Sequence, residues 1–294
     1  MRLAARHAAV SHVGRQRAGN EDAYVARPPL FGVADGMGGA RAGEVASQIA
    51  VDTLAEKLAK VPARPDAAAA QLAAAAAEAN ARIFAAATRD RSQSGMGTTL
   101  TALLMCGRTG LIAHIGDSRA YLLRAGELRQ LTDDHSLVAE MVRDGRLPAG
   151  QARQHPYRSV LSRALGTEAE AEVDELRVSL QAGDVVLLCS DGLCGPVSDE
   201  KLSKALSASD PHKATRRLID EALRRGGPDN ITAVVVQFYD SDQAPPEPET
   251  SKDARAPAAG GPSDEPAAER EEKDPPRRRW HWLLPAAPVP GTRR

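Results

Sequence analysis

Residues 30–39 read LFGVADGMGG, a nearly continuous apolar run that ends in an aspartate followed by glycine. Such a run is typical of a strand that is buried on both faces of its sheet. The glycine after Asp35 lets the chain turn, and it lets a backbone carbonyl approach an ion without a Cβ in the way. The stretch therefore predicts a central strand that delivers a carboxylate to one end of a sheet.

Three more aspartates occupy similar positions. Asp117 and Asp191 each follow an apolar run, and Asp229 lies just before the apolar run 231–238. A single aspartate there is usually an ordinary turn residue, but four of them can converge on one mouth of the sheets. Ionised carboxylates brought together raise each other's pKa values unless a cation neutralises them. Because none of the four positions is His or Cys, the all-oxygen set favours Mg²⁺ or Mn²⁺ over Zn²⁺.

The other patterns predict helices packed outside antiparallel sheets, which is an α+β fold. Short glycine-bearing loops predict hairpins between two pairs of β-rich segments, 98–106 with 111–115 and 120–123 with 128–131. The spacing of apolar residues predicts three helices, 43–60, 67–88 and 211–225. Asp66 is expected to cap the second of these helices.

Composition limits the class of protein. The chain has 294 residues, with 38 Lys and Arg against 39 Asp and Glu, so its formal charge of -1 gives no bulk attraction to nucleic acid. Three cysteines are too few for a disulfide framework, and no apolar run reaches the length of a signal peptide or a membrane span. We therefore expect a cytoplasmic protein.

The end of the chain differs in composition from the rest. Eleven of the 20 prolines lie in residues 241–294, so we predict one folded domain at 1–239 and a disordered tail rich in Pro, Ala and charge at 240–294. Residues 277–284 read RRRWHWLL and contain both tryptophans of the chain. This composition suits docking to a partner or to a membrane surface, and the alternative is an incidental solvated end.

An ordered set of short motifs carries a family resemblance. The motifs are RAGNED at 17–22, VADGMGG at 33–39, GTT at 97–99, HIGDSR at 114–119, LTDDHS at 131–136, SDG at 190–192 and GPDN at 227–230. In this order they resemble the metal-dependent serine/threonine protein phosphatases, also called type 2C or PPM, and in particular the small bacterial members that oppose Hanks-type protein kinases. The resemblance runs from about residue 14 to residue 238, and it implies a central sandwich of two antiparallel β-sheets flanked by α-helices on both sides.

The resemblance also implies a two-ion centre. Asp35 would bridge two Mn²⁺ or Mg²⁺ ions, the carbonyl of Gly36 would hold one of them, and Asp191 and Asp229 would hold the other. Two ions that share a water lower its pKa and present hydroxide to phosphorus in line with the leaving oxygen. No protein nucleophile is then needed.

Further positions match family residues that contact phosphate or metal-bound water. Arg17 matches a phosphate-binding arginine, whose planar fork can grip two phosphate oxygens. Glu21 and Asp22 match acids that accept hydrogen bonds from metal-bound waters and fix their orientation. The alternatives are a surface arginine and solvated loop acids.

A third, weaker metal site is implied at Asp117, to which Asp191 and the carbonyl of Ser159 would contribute. The alternative is that Asp117 pairs with Arg119 or caps the next turn. The charged segment 134–158 resembles the flap beside this third site, whose movement can gate substrate and metal together.

One departure from the family concerns the proton for the leaving group. Animal relatives have a histidine directly after the Asp-Gly pair, whereas this chain has Met37. A metal-bound water is then the expected proton source, and His135 is a weaker candidate because histidine titrates near neutral pH. His114, which lies inside a predicted strand, is expected to be a core residue.

The implied activity is metal-dependent hydrolysis of phosphoserine and phosphothreonine in proteins by a monomer that reverses the action of a serine/threonine kinase. One alternative is a non-catalytic phosphoprotein-binding scaffold, but such a scaffold has no chemical need for Arg17, Asp35, Asp191 and Asp229 together. A second alternative is a regulator in a sigma-factor partner-switching pathway. That role uses the same chemistry on another substrate, and no sensor domain is recognised beside the phosphatase motifs.

Overall fold

A computed structural model describes residues 3–38, 42–152, 155–208 and 210–242 of the chain. The strands of this part are β1 (Leu3–His12), β2 (Asp22–Arg27), β3 (Leu30–Met37), β4 (Gly97–Thr98), β5 (Leu100–Cys106), β6 (Thr109–Ile115), β7 (Arg119–Arg124), β8 (Glu127–Gln130), β9 (Asp174–Ser179), β10 (Val185–Cys189) and β11 (Ile231–Asp240). The helices are α1 (Ala42–Lys57), α2 (Pro65–Arg89), α3 (Leu137–Arg143), α4 (Ala149–Ala152), α5 (Asp191–Cys194), α6 (Asp199–Leu206) and α7 (Pro211–Arg224).

The strands form two sheets that pack face to face. The first sheet has the order β1-β11-β10-β7-β8, and the second has the order β2-β3-β5-β6-β9 with β4 paired to β3. All of the pairings are antiparallel. Both predicted hairpins are present, as β5-β6 and β7-β8.

Side chains that alternate along the strands build three apolar layers. Phe31, Leu103 and Ile112 of the second sheet meet Leu122 and Leu188 of the first sheet in the central layer. The alternate residues of the second sheet pack against α1 and α2, and those of the first sheet pack against α5, α6 and α7. The predicted fold class, a two-sheet α+β sandwich with helices on both sides, is confirmed.

The predicted helices are present with shifted ends, and one predicted cap is wrong. Helix α2 begins at Pro65, and its N-cap residue is Arg64, whose side chain makes no capping hydrogen bond. Asp66 is inside the helix and forms an ion pair of 2.7 Å with Arg177. Proline at the first helical position needs no hydrogen-bond acceptor, so the helix can begin before Asp66.

Most of the predicted C-terminal tail lies outside the residues that the structure describes. The tail was predicted to begin at residue 240, but Asp240 is the last residue of β11; from residue 243 onward the predicted tail, with its docking motif, lies outside the described residues. Within the described residues, no helix combines the length and the apolar character that a membrane span requires.

Candidate active site

The predicted acids meet at one end of the sandwich. Asp22 and Asp35 face each other in register across β2 and β3. Asp191 is the first residue of α5, directly after β10, and Asp229 lies in the loop just before β11. Because β10 and β11 are antiparallel, the end of one strand and the start of the other share an edge. The carboxyl groups of Asp35 and Asp191 are close enough for each to affect the pKa of the other.

Burial and mutual repulsion raise the pKa values of Asp35, Asp117 and Asp191. Burial, and then the carboxylates of Asp22, Asp191, Asp117 and Asp229, hold the pKa of Asp35 well above its usual range. Burial, and then the nearby Asp191 and other carboxylates, raise the pKa of Asp117 to about 8. The pKa of Asp191 is also raised, by burial and by Asp229. A cluster of this kind is stabilised by a cation placed among the oxygens.

Close backbone packing holds the loops that carry the ligands. A Cβ on Gly36 would lie 2.0 Å from the carbonyl oxygen of Gly43, and one on Gly192 would lie 1.9 Å from the carbonyl oxygen of Asn230. These distances are far below van der Waals contact. Glycine is therefore required after Asp35 and after Asp191 for the backbone to reach these positions.

Asp22 is held by hydroxyl groups from the opposite sheet. Its Oδ2 accepts hydrogen bonds from Ser190 Oγ at 2.7 Å and from Thr232 Oγ1 at 2.6 Å. Its Oδ1 is buried and has no hydrogen-bond partner among the described residues. Burial raises the pKa of Asp22 to about 6, against the effect of the two hydroxyl donors. A buried carboxylate oxygen without a partner suits a water or ion that belongs to the site.

Arg17 lies at the edge of the cluster. Its Nη2 donates to Asp229 Oδ2 at 2.8 Å, and the two side chains are 48% and 30% exposed. This ion pair, with smaller contributions from Glu21 and Asp35, raises the pKa of Arg17. Burial raises the pKa of Glu21, although Arg17 acts in the opposite direction. The predicted phosphate-binding residue is thus adjacent to the predicted metal ligands.

The alternative pairing of Asp117 with Arg119 is wrong. Arg119 instead makes a bidentate ion pair with Asp134, through Nε at 2.7 Å and Nη2 at 2.6 Å. Ser159 lies in an exposed turn, and no hydrogen bond within the described chain links it to Asp117. The third metal site at Asp117 and Ser159 stays a prediction.

The two histidines near the flap are buried structural residues. His114 has no solvent exposure and contacts Thr101 Oγ1 through Nδ1 at 2.9 Å and the carbonyl of Asp133 through Nε2 at 2.9 Å. His135 is 1% exposed, and its Nδ1 accepts a hydrogen bond of 3.2 Å from the Gly116 amide. Its Nε2 contacts Asp174 Oδ2 at 3.1 Å. Both nitrogens of His135 are therefore engaged within the protein.

Asn230 is a residue next to the predicted ligands to which the sequence analysis assigned no role. It follows Asp229, and its side-chain amide contacts the backbone of the segment that carries Arg17 and Glu21. Ser190 and Thr232, the donors to Asp22, were also missed. The available signal was their position next to the predicted ligands, at strand ends where a polar residue interrupts an apolar run.

The donor set fits divalent hard cations. It consists of carboxylates and a tightly packed backbone carbonyl, with raised carboxylate pKa values and one orphaned carboxylate oxygen. In the described part of the chain, no three Asp, Glu, His or Cys side chains are already arranged as a ligand set. Asp229 is turned towards Arg17, so some rearrangement of side chains accompanies binding.

One cleft lies away from the acid cluster. It has a volume of about 430 Å³ and contains none of the predicted site residues. Its apolar floor is formed by residues at the far ends of β7, β10 and β11, among them Leu123, Val185 and Phe238. The acid cluster, and not this cleft, carries the chemistry that the sequence predicts.

Comparison with known proteins agrees with the geometry. The family model described as Protein phosphatase 2C matches residues 11–236. The serine/threonine protein phosphatase PstP of Mycobacterium tuberculosis is 46% identical over 247 residues, which cover 84% of this chain and 47% of that protein. The chain thus spans about half the length of this relative. The serine/threonine phosphatase stp of Listeria welshimeri is 42% identical over 212 residues, which cover 71% of this chain and 84% of that protein.

A solved structure supports the same assignment. The crystal structure of the catalytic domain of PstP in complex with two manganese ions superposes with a TM-score of 0.76 at 44% sequence identity. The match covers 81% of this chain and the whole of that one.

Proposed function

The chain belongs to the protein phosphatase 2C family, and from that premise we propose that it hydrolyses phosphoserine and phosphothreonine in proteins. The observation that carries the proposal is the cluster of half-buried aspartates from separate parts of the chain, Asp35, Asp191 and Asp229, with an arginine fork at its edge. Carboxylates so arranged are stabilised by cations that neutralise their charge. Cations together with a guanidinium can bind the negatively charged oxygens of a phosphate monoester.

The proposed cofactors are two Mn²⁺ or Mg²⁺ ions. Asp35, the carbonyl of Gly36, Asp191 and Asp229 are the residues proposed to hold them. When bound, the ions supply an activated water as the attacking group and neutralise the charge of the phosphate. The all-oxygen donor set supports this choice, as does the presence of two manganese ions in the PstP structure.

The chain's own residues bind and orient the substrate. Arg17 is proposed to leave Asp229 and to grip two non-bridging phosphate oxygens when the substrate arrives. Its exposure of 48% leaves the fork free to swing between the two partners. Glu21 and Asp22 are proposed to accept hydrogen bonds from water in the site, and the two hydroxyl donors on Asp22 Oδ2 leave Oδ1 for that purpose.

The proton for the leaving oxygen is proposed to come from water. Met37 has no proton to give, and both ring nitrogens of His135 are engaged within the protein. The proposed substrates are proteins phosphorylated by a Hanks-type kinase, and the proposed catalytic unit is residues 1–239, acting as a monomer in the cytoplasm. A third ion at Asp117 belongs to the same proposal.

The decisive experiment measures hydrolysis of matched phosphothreonine and phosphotyrosine peptides with Mn²⁺, with Mg²⁺ and with a chelator. We expect turnover of the phosphothreonine peptide with either ion and none with the chelator. Asp191→Ala should abolish it. Equal rates after exhaustive removal of metal would contradict the proposed chemistry.

A second experiment tests the proposed domain boundary. A chain that lacks residues 241–294, and so ends at the last residue of β11, should hydrolyse a small aryl phosphate in Mn²⁺ at the full-length rate, because every proposed site residue precedes that point. A substantial loss of activity would show that the rest of the chain contributes to the fold.

A further inference from the structure

The side chain of Asn230 is saturated by one short segment of backbone. Asn230 is 3% exposed. Its Oδ1 accepts a hydrogen bond of 2.8 Å from the amide of Glu21, and its Nδ2 donates to the carbonyls of Val13 and Gly19 at 2.9 Å each. One amide and two carbonyls as partners fix the orientation of the side chain, since only the NH₂ group can donate twice.

The segment that Asn230 holds connects β1 to β2 and carries Arg17 and Glu21. Other contacts bring it against the same loop. The Arg15 amide donates to the Gly227 carbonyl at 2.8 Å. Gly14 has a φ of +82°, and a Cβ there would lie 2.1 Å from the carbonyl oxygen of Asp229. The segment therefore rests directly on residues 227–230.

Asn230 also contacts the loop that carries Asp191. Its carbonyl oxygen lies where a Cβ on Gly192 would be, at 1.9 Å. One residue thus borders three chain segments that carry Arg17, Asp191 and Asp229.

We propose that Asn230 is a positioning residue that acts through Arg17, by fixing the segment 13–21 at the distance from Asp229 that phosphate binding requires. The inference rests on the proposed phosphate-binding role of Arg17. The side chain of Arg17 is half exposed, and Asp229 is its only ion-pair partner in the described chain, so its own packing does not fix its place. The backbone that carries Arg17 must therefore fix the position of its guanidinium. A small displacement of a group that binds phosphate weakens that binding.

Asn80 provides a matched control. It is 2% exposed, its Oδ1 accepts from the Gly166 amide at 2.7 Å, and its Nδ2 donates to two carbonyls, those of Glu168 and Ala169, at 3.1 Å each. The residue type, the burial and the pattern of three backbone hydrogen bonds are the same. The segment that it holds carries neither Arg17 nor a proposed metal ligand.

The test compares Asn230→Ala, Asn80→Ala, Arg17→Ala and the double variant Asn230→Ala with Arg17→Ala. Three quantities are measured: the calorimetric Kd for inorganic phosphate on the Mn²⁺-loaded protein, KM and kcat on a phosphothreonine peptide, and the midpoint of thermal unfolding. We expect both asparagine variants to lower the midpoint by similar amounts, because each loses three buried hydrogen bonds.

Phosphate binding should separate the variants. Asn230→Ala should weaken the Kd for phosphate and raise KM by about tenfold, with a smaller change in kcat, whereas Asn80→Ala should change neither by more than about twofold. Adding Asn230→Ala to Arg17→Ala should change the Kd for phosphate by less than about twofold. The reason is that Asn230 is proposed to act through Arg17, which is already absent in this variant. If Asn230→Ala does not fold, Asn230→Ser, which keeps a hydroxyl group at this position, takes its place with the same expected order of effects.

The outcomes distinguish this inference from the proposed function. An unchanged phosphate Kd in Arg17→Ala would refute the phosphate-binding role itself, and with it the inference. A weakened Kd in Arg17→Ala, combined with independent and multiplicative effects in the double variant, would leave Arg17 in its role and overturn that of Asn230. Equal effects of the two asparagine variants on Kd would also overturn it.

Discussion

The guanidinium of Arg17 donates a hydrogen bond of 2.8 Å to Oδ2 of Asp229, so the proposed phosphate ligand neutralises one of the proposed metal ligands. The pair joins residues 212 positions apart, from the segment before β2 and the loop before β11. The carboxylate of Asp229 would therefore be shared by two cations, the arginine and the expected metal ion. Their competition has a measurable consequence.

Arg17→Ala is expected to tighten the binding of Mn²⁺. Removing the arginine frees Asp229 from a pair that is worth about 1 kcal/mol or less at this exposure, which corresponds to a gain in affinity of up to about fivefold. Calorimetric titration of the metal-free protein with MnCl₂ measures the effect. Arg15→Ala removes the same charge two residues away and serves as the control. Weaker binding in Arg17→Ala would mean that the arginine supports the ion and does not compete with it.

Asp35→Asn is expected to raise the thermal stability of the metal-free protein and to lower the activity in Mn²⁺. The asparagine removes a carboxyl group that burial and four neighbouring acids make costly to ionise, so the metal-free protein should unfold at a higher temperature, by about 2 to 4 °C for each kcal/mol relieved. Activity in Mn²⁺ should fall by at least about a hundredfold, because a proposed bridging ligand is lost.

The control for Asp35→Asn is Asp52→Asn, since Asp52 is an exposed residue of α1. Asp52→Asn should change neither the unfolding temperature of the metal-free protein nor the activity in Mn²⁺. Differential scanning calorimetry in chelator and in Mn²⁺ gives both midpoints. A lower midpoint for Asp35→Asn in chelator would show that the acids do not destabilise the metal-free site.

The central strands could be predicted from the sequence, whereas three of the four edge strands could not; the exception is β8, which the glycine-bearing hairpin loop revealed. The runs that predict β3, β10 and β11 are apolar because these strands are covered on both faces. The missed strands β1, β2 and β9 are all at sheet edges, where residues are mostly half-buried or exposed. Their mixed composition gives no continuous apolar signal.

The acids of the site could also be predicted, because each follows or precedes a recognisable strand. The contacts between them could not. The pairing of Arg17 with Asp229 and the hold of Asn230 on the segment 13–21 join residues about 210 positions apart. Such contacts depend on how the two sheets are stacked, which periodicity within one strand does not report. The alternative pairing of Asp117 with Arg119 is not formed, because Arg119 is paired with Asp134.

Gly192→Ala is expected to be severely destabilising. The new methyl group would lie 1.9 Å from the carbonyl oxygen of Asn230, which is backbone and cannot move aside alone. The free energy of unfolding should fall by about 3 kcal/mol or more. Gly150→Ala is the control, because a Cβ there meets nothing within 4 Å. It should alter stability by less than about 0.5 kcal/mol in urea titrations. Similar losses in the two variants would mean that the clash is relieved.

His114 is expected to make the protein sensitive to acid. Burial, and then the neighbouring His135, lower its pKa to about 4 from an ordinary 6.5, although Asp134 and Asp174 act in the opposite direction. Between these two pH values His114 binds a proton in the unfolded chain but stays neutral in the folded chain. Stability is therefore lost as the pH falls from about 6.5 to about 4, and the contribution is constant above that window.

The measurement compares the wild type with His114→Gln, which keeps hydrogen-bonding groups but does not titrate. Urea unfolding at intervals from pH 7.5 to pH 4 gives the free energy of unfolding of each protein. The wild type should lose up to roughly 3 kcal/mol more than the variant over this range. Parallel curves would show that His114 is protonated in the folded protein as readily as in the unfolded chain.

His135→Ala is expected to reduce turnover of a phosphothreonine peptide by less than about tenfold. The ring accepts from the Gly116 amide through Nδ1 and contacts Asp174 through Nε2, so neither nitrogen is available to a leaving group. Burial, together with the charge of Arg163, lowers the pKa of His135, so the ring is neutral near pH 7. Thermal stability should fall, because two contacts of a buried side chain are lost. A loss of turnover as large as that of Asp191→Ala, in a variant that still folds, would instead identify His135 as the proton donor and exclude water from that role.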